Sequence, residues 1–342
     1  MRKLIAAGLV VASAGLLTLA GTPAPAVAQD KKVAPPKHLY GHNLRVRPGG
    51  TPNFDPTTPR VGVELFHDEA TKAIIAISET GSISVAPAPV GGAVVGADKS
   101  CKWLTAHDLN CRKAGEADFT QKTKKWGVEL FQDRGTNRLL YVCESGSVAL
   151  APVPGGLVTD RGPKWFHGME PKVRAPEQEK FDSAKKVGVE IFKDENTNGL
   201  LYITETGAIA PAATAANAPD QKKLAAPKTQ YGLILRVRGG DEPNFTDKTK
   251  QMGVEVFEDP NVTTMFYITE AGFVTVAPYT GKFVPDKKGV EWHGALALRA
   301  RKSTENDFEK AKKYGIEVFE DRRTGNLLFV CETGSIAVLP KQ

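Results

Sequence analysis

The sequence predicts an all-β protein with short helical insertions, built from five tandem four-stranded antiparallel units and arranged as a five-bladed β-propeller. Three observations predict it: one motif recurs five times, turn residues cut each copy into short strands, and those strands are apolar on both faces.

The recurrence comes first, because an internal repeat changes how every local signal is read. A core reading G-[VI]-E-[LVI]-F-x-D begins at Gly62, Gly127, Gly188, Gly253 and Gly315, at separations of 65, 61, 65 and 62 residues. Eleven residues after each aspartate stands a glutamate, giving Glu79, Glu144, Glu205, Glu270 and Glu332. Upstream, an arginine precedes a phenylalanine by seven in every copy: Arg47 and Phe54, Arg112 and Phe119, Arg174 and Phe181, Arg238 and Phe245, Arg301 and Phe308. The repeats span 34–87, 101–152, 163–211, 227–278 and 288–340, with Pro-, Ala- and Gly-rich connectors between them.

Within a unit the elements follow in order. A short apolar and basic alternation such as Leu235 to Arg238 reads as a first strand. In the last unit Asn306 and Asp307 precede Phe308 to Tyr314 and then Gly315, a capped segment that predicts a two-turn helix. Pro56 and Pro59 remove that helix from the first unit. A three-stranded meander follows, seen in the second unit as Gly127 to Gln132, Leu139 to Glu144 and Ser147 to Ala151, with turns between.

Strand faces decide how the units assemble. Along Leu200 to Thr204, Leu200 and Tyr202 share one side and Leu201 and Ile203 the other. A sheet apolar on both sides needs cover on both, which radial packing of similar sheets provides. The alternative is a linear array of five small β-rich domains on flexible connectors; another closed or solenoid assembly is a third arrangement. The termini fall at the same phase of the repeat, so no exchanged strand closes a ring, which counts against the propeller.

Residues 1–28 have the layout of a secretory signal peptide: Arg2 and Lys3, an apolar run from Leu4 to Ala20, and Ala26-Val27-Ala28 before Gln29. This predicts an extracytoplasmic protein, whether periplasmic, at the cell surface or secreted, with no stable membrane insertion after cleavage. Net charge is +6, and loss of Arg2 and Lys3 leaves +4 with both signs intermixed, which argues against nucleic acid as a partner. Four cysteines in an exported chain permit disulfides, and a bridge between Cys111 and Cys143 within the second unit is the expected one.

Trp103, Trp165 and Trp292 open three units, with Tyr40 and Tyr231 near the same place in the first and fourth. Aromatic residues at equivalent positions stack on sugar rings or plug the contact between repeats, so Trp103, Trp165, Tyr231 and Trp292 are the candidate ligand-binding residues. Asp194, Asn196, Asn198, Gly199 and Glu205 match an EF-hand calcium loop, but strands rather than helices flank them, and Glu205 lies a whole strand from the turn. The six histidines show no metal-ligand spacing, so no metal or other cofactor is expected. Nucleophile elbows and Gly-rich phosphate loops are missing, and paired carboxylates come in fivefold copies rather than one asymmetric set. The expected function is non-catalytic: a multivalent, lectin-like binding protein whose partner is a cell-surface or extracellular glycan. The alternative is a structural or scaffolding component of the cell envelope that binds proteins.

Overall fold

The computed structural model describes residues 35–89, 94–197, 199–213, 225–260, 264–278, 284 and 289–340. Residues 1–34, on which the signal-peptide expectation falls, and parts of the connectors at 88–100, 211–227 and 278–288 lie outside the described residues. No helix among the described residues is long and apolar enough to cross a membrane.

Five four-stranded antiparallel sheets form a five-bladed β-propeller. The first holds β1 (Lys37–Arg45), β2 (Arg60–Asp68), β3 (Ala73–Ser78) and β4 (Ile83–Pro87). The second holds β5 (Cys101–Cys111), β6 (Lys124–Asp133), β7 (Arg138–Cys143) and β8 (Val148–Pro152). In the third, β9 (Pro163–Met169) is followed by a two-stranded ribbon, β10 (Lys172–Val173) and β11 (Lys185–Lys186), before β12 (Val189–Asp194), β13 (Gly199–Thr204) and β14 (Ile209–Ala213). The fourth holds β15 (Lys228–Val237), β16 (Lys250–Asp259), β17 (Thr264–Thr269) and β18 (Val274–Pro278), and the fifth β19 (Val290–Ala300), β20 (Lys312–Asp321), β21 (Leu327–Cys331) and β22 (Ile336–Leu339). The last strands, β4, β8, β14, β18 and β22, touch one another around the inside of the ring, and the first strands form its rim.

Each of the five core clusters joins two neighbouring blades, including the fifth to the first. Side chains alternate across the pleat. Leu140 and Val142 therefore pack toward the first blade, while Leu139, Tyr141 and Cys143 pack toward the third. The motif phenylalanines, Phe66, Phe131, Phe192, Phe257 and Phe319, are 2–6% exposed, and each lies in the cluster shared with the preceding blade. Burying one such ring contributes roughly 2–3 kcal/mol.

The motif glycine sets how closely blades approach. A Cβ on Gly62, Gly127, Gly188, Gly253 or Gly315 would lie 2.3, 1.9, 2.2, 1.9 or 2.0 Å from the carbonyl oxygen of Arg301, Arg47, Arg112, Arg174 or Arg238 in the preceding blade. That contact brings the arginine side chain onto the motif glutamate two residues on. Its Nε donates to the carboxylate at 2.6 Å for Arg301–Glu64, 2.7 Å for Arg47–Glu129, and 2.6, 2.6 and 2.7 Å at the remaining seams. All five glutamates are buried. Ring closure thus needs no shared strand, because the fifth seam is held by the same side-chain bridge as the other four. At that seam Thr333 also donates to the Gly81 carbonyl at 2.9 Å, and Ile83 N donates to Ser335 Oγ at 2.8 Å.

Two sequence expectations are corrected. The helical insertion is one 3₁₀ turn at Phe308–Lys310, with Asp307 capping Glu309 N at 3.0 Å, and one at Phe181–Ser183. The lysine pairs Lys185-Lys186 and Lys312-Lys313 lie in strands, where Lys312 opposes Ala300. Cys111 and Cys143 are free, as are Cys101 and Cys331. They share a core cluster, but β6 runs between their strands, and they face Lys124 and Val128, four residues apart on it. Two strand spacings and about 13 Å along the strand exceed the ~7 Å that a disulfide spans between Cα atoms. Burial pushes the Cys143 thiol up to about 11.

Gly127→Ala is expected to cost roughly 1–3 kcal/mol through a clash with rigid backbone, while Gly162→Ala, whose Cβ would meet nothing within 4 Å, is neutral; urea denaturation separates them. Burial alone would push the carboxyls of Glu64, Asp133 and Asp194 up. Their neighbours outweigh it and hold all three below the ordinary range: hydrogen bonds from His38 and Arg301 on Glu64, hydrogen bonds from His42, Thr136 and Tyr40 on Asp133, and on Asp194 the His107 imidazole 3.6 Å away together with hydrogen bonds from Asn196 and Thr197 of its own turn. Such groups stabilise the fold fully above their unfolded pKa of about 4, and that contribution is lost as pH falls through the depressed values. The urea midpoint should therefore hold from pH 7 to about 5 and drop steeply below about 4. A flat profile would contradict these assignments.

Candidate functional site

Every first strand carries a β-bulge nine to seven residues before its arginine, at His38/Tyr40, Trp103/Thr105, Thr229/Tyr231 and Trp292/Gly294, and opposite Ile191/Phe192 in the third blade. The extra residue turns side chains on its two sides to opposite faces. Those at arginine minus nine face the preceding blade, and those at minus seven face the next one. Trp103, Trp165 and Trp292 occupy the first position, whereas Tyr231 occupies the second, so the four candidate residues do not share one environment.

At the first position an aromatic ring completes the arginine bridge. Nε1 of Trp103, Trp165 and Trp292 donates to Glu129, Glu190 and Glu317 at 2.6, 2.7 and 2.7 Å. Each indole meets the preceding blade's Phe54, Phe119 or Phe245 edge to face at 5.8, 5.7 and 6.1 Å. Trp103 and Trp165 remain 44% and 41% exposed. In the first blade His38 takes the same role, donating to Glu64 at 2.8 Å and stacking on Phe308 at 4.1 Å. Tyr231 instead lies inside the wall, 8% exposed, bonded to Asp321 and covered by Arg323 at 4.2 Å.

The fourth blade departs from this pattern. Thr229 stands at the aromatic position and is exposed. Phe181 sits there without an indole, and Arg174 lies 5.7 Å from its ring, against 4.4–4.7 Å at the three tryptophan seams. A cleft of about 530 Å³ opens at this seam, lined by His167, Met169, Phe181, Thr229 and Phe257 among others. Pro171 lines it too and occupies the place where the other blades bury Leu44, Leu109, Leu235 and Leu298. A proline cannot donate to the sheet, so β9 breaks there and resumes as β10.

The polar groups around the cleft are few. His167 is buried, and its Nε2 stands 3.5 Å from Asp259 Oδ2 without forming a hydrogen bond. Glu170 pairs with Lys186 at 2.9 Å, and Lys172 Nζ lies 6.0 Å from the Phe181 ring. Glu255, one pleat beyond Phe257 on the same face of β16, is buried and accepts from Arg174 Nε through Oε1 at 2.6 Å and from its Nη2 through Oε2 at 3.4 Å, with no ring N–H beside Oε2 among the described residues.

A second irregularity marks the same seam. Glu79, Glu144, Glu205 and Glu332 each accept a backbone N–H from the preceding blade, from Ser303, Gly49, Ala114 and Gly240 at 2.6–2.8 Å. The corresponding residue for Glu270 is Pro176, which has no N–H. Burial, and then the neighbouring Glu177, push the Glu270 carboxyl above its ordinary value. Glu205→Ala is expected to lose about 1–2 kcal/mol, and Glu270→Ala to be neutral or stabilising at pH 7, as read by thermal unfolding.

The Asp194 turn that resembles a calcium loop satisfies itself: its carboxylate accepts from Asn196 N, Thr197 and Tyr141 at 2.9–3.0 Å. Asn198 lies outside the described residues. No group of three or more His, Cys, Asp or Glu side chains that could hold a metal ion occurs among the described residues.

No protein-family model matches this chain, and no curated protein does. Among solved structures it is similar to an inactive virginiamycin B lyase from Staphylococcus aureus holding quinupristin, with 14% identity, 88% of this chain and 74% of that chain covered, and a TM-score of 0.13. A second structure of virginiamycin B lyase from Staphylococcus aureus gives 13% identity, 88% of each chain and a TM-score of 0.12. A streptogramin B lyase gives 11% identity, 89% and 88% coverage and 0.11. Superpositions this loose carry no argument about activity, and the class of the protein rests on its own architecture, a five-bladed propeller.

Proposed function

We propose that this is an extracytoplasmic, non-catalytic binding protein that takes its ligand in the cleft between the third and fourth blades. The observation that carries the reading is the broken symmetry. Four seams are filled by an aromatic side chain of the chain itself, and among the described residues one has none. The walls of the opening are apolar, with Met169, Phe181 and Phe257, and a few polar groups stand at its edges, the usual composition of a ligand cleft. Export rests on the leader-like residues 1–28.

A multivalent glycan surface made by Trp103, Trp165 and Trp292 is the second reading, favoured by the exposed faces of Trp103 and Trp165. Against it, each indole already spends its N–H and one edge on joining two blades, and Tyr231 is withdrawn from the set.

Methyl-labelled methionine gives a direct test. Soluble glycans and peptides that bind in the cleft should shift the Met169 methyl signal and leave Met252 and Met265, which pack between the fourth and fifth blades, unmoved. Glycan binding that leaves Met169 unmoved and weakens in Trp103→Ala, Trp165→Ala and Trp292→Ala would favour the multivalent reading instead.

A further inference from the structure

We infer that the occupant of the cleft is the tryptophan side chain of a partner protein segment, donating its indole N–H to Glu255. The inference rests on the cleft being the ligand site, and it deepens that reading by naming what fits.

The fold supplies its own templates. At each of the four closed seams the preceding blade's arginine forks onto the motif glutamate, Nε to Oε1 and Nη2 to Oε2 at 3.1–3.4 Å, and Oε2 accepts a second, shorter bond from a nitrogen heterocycle at 2.6–2.8 Å. Three of those heterocycles are indoles and one is an imidazole. Glu255 keeps the arginine, Arg174, and has no heterocycle. Phe181 keeps the position of the phenylalanine that the indole edge meets elsewhere, and Phe257 that of the residue paired with it across the strands. Acceptor, ring partner and floor are therefore all present, and Thr229 contributes too little volume to use them.

Chemistry narrows the occupant further. Glu255 Oε2 has the guanidinium bond but lacks the second, shorter ring N–H bond of its four sisters, so a donor fits there and a phenyl ring does not, and the Phe181 and Phe257 rings that line the cleft favour an aromatic partner. Edge-to-face contact and a charge-assisted N–H bond are both met by indole. At about 530 Å³ the cleft is larger than one indole, and Pro171 and Ala225–Pro227 line it too, so residues flanking the tryptophan find apolar walls as well. Lys172 and Glu170 also line it and can meet polar groups of the segment. A chain segment uses this volume more fully than a free indole does.

The full chain is titrated with a nine-residue Gly/Ser peptide carrying one central tryptophan, and with N-acetyltryptophanamide, N1-methyltryptophan and phenylalanine counterparts, following the Met169 methyl signal. The tryptophan peptide should bind more tightly than the amide. Methylating the indole nitrogen or replacing indole by phenyl should weaken binding roughly tenfold, the effect of losing one hydrogen bond to a charged acceptor. Thr229→Trp should fill the cleft from within, shift Met169 in the free protein, raise the thermal midpoint and abolish peptide binding. If Thr229→Trp does all but the last because no tryptophan probe ever binds, while a glycan shifts Met169 in the wild type, the cleft reading stands and the indole inference falls. If N1-methylation leaves affinity unchanged, donation to Glu255 is wrong. If Thr229→Trp neither raises the midpoint nor moves Met169, the seam is not an indole socket and both readings fall.

Discussion

The whole ring depends on one contact: the backbone of an arginine in one blade lying against a glycine in the next. Five glycines allow it, and any side chain there would collide with a carbonyl carbon or oxygen. Once the backbones touch, the arginine reaches a glutamate two residues beyond the glycine, and the two charges bury together. A buried ion pair is not by itself a large source of stability. Its value here is positional, because a fork-shaped guanidinium and a carboxylate accept only a narrow range of angles between sheets. The same contact, made five times, closes the circle.

The repeated polar motif therefore serves the seam. Its glycine and glutamate and the arginine upstream meet a neighbouring blade at every seam, the glutamate downstream does so at four of the five, and the aspartate does so in the second to fifth blades. Tyr141, Tyr202 and Tyr267 add a hydroxyl from each blade to the buried aspartate of the next. The fifth blade has Phe329 in that place, and the first has Ala76 and instead sends Tyr40 and His42 from its outer strand to Asp133 at 2.8 and 3.0 Å. The two solutions are chemically alike although they come from different strands.

Much of this is legible in the chain. Periodicity and two-sided apolar strands point to the propeller over a string of tethered domains. The bulge was not legible, since register is set by strand pairing and leaves no mark in a single sequence. For that reason Tyr231 was grouped with the tryptophans, although it stands two residues later and faces the other way. The informative signal was the exception: counting back nine residues from each arginine gives His38, Trp103, Trp165, Thr229 and Trp292, and Thr229 alone is not aromatic. The disulfide failed for a simpler reason, because residues on alternate strands of one sheet are neighbours in sequence pattern but not in space.

Closure without a shared strand has a consequence for how such a ring can vary. When one blade borrows a strand from the far end of the chain, the two ends are committed to each other and the number of blades is locked by that exchange. Here each blade is made of consecutive residues and presents a donor side and an acceptor side, arginine on one and glycine with glutamate on the other. Duplicating a unit would add a compatible link without rewriting either end, and the seam that departs from the pattern could then drift in sequence while its four sisters carry the circle.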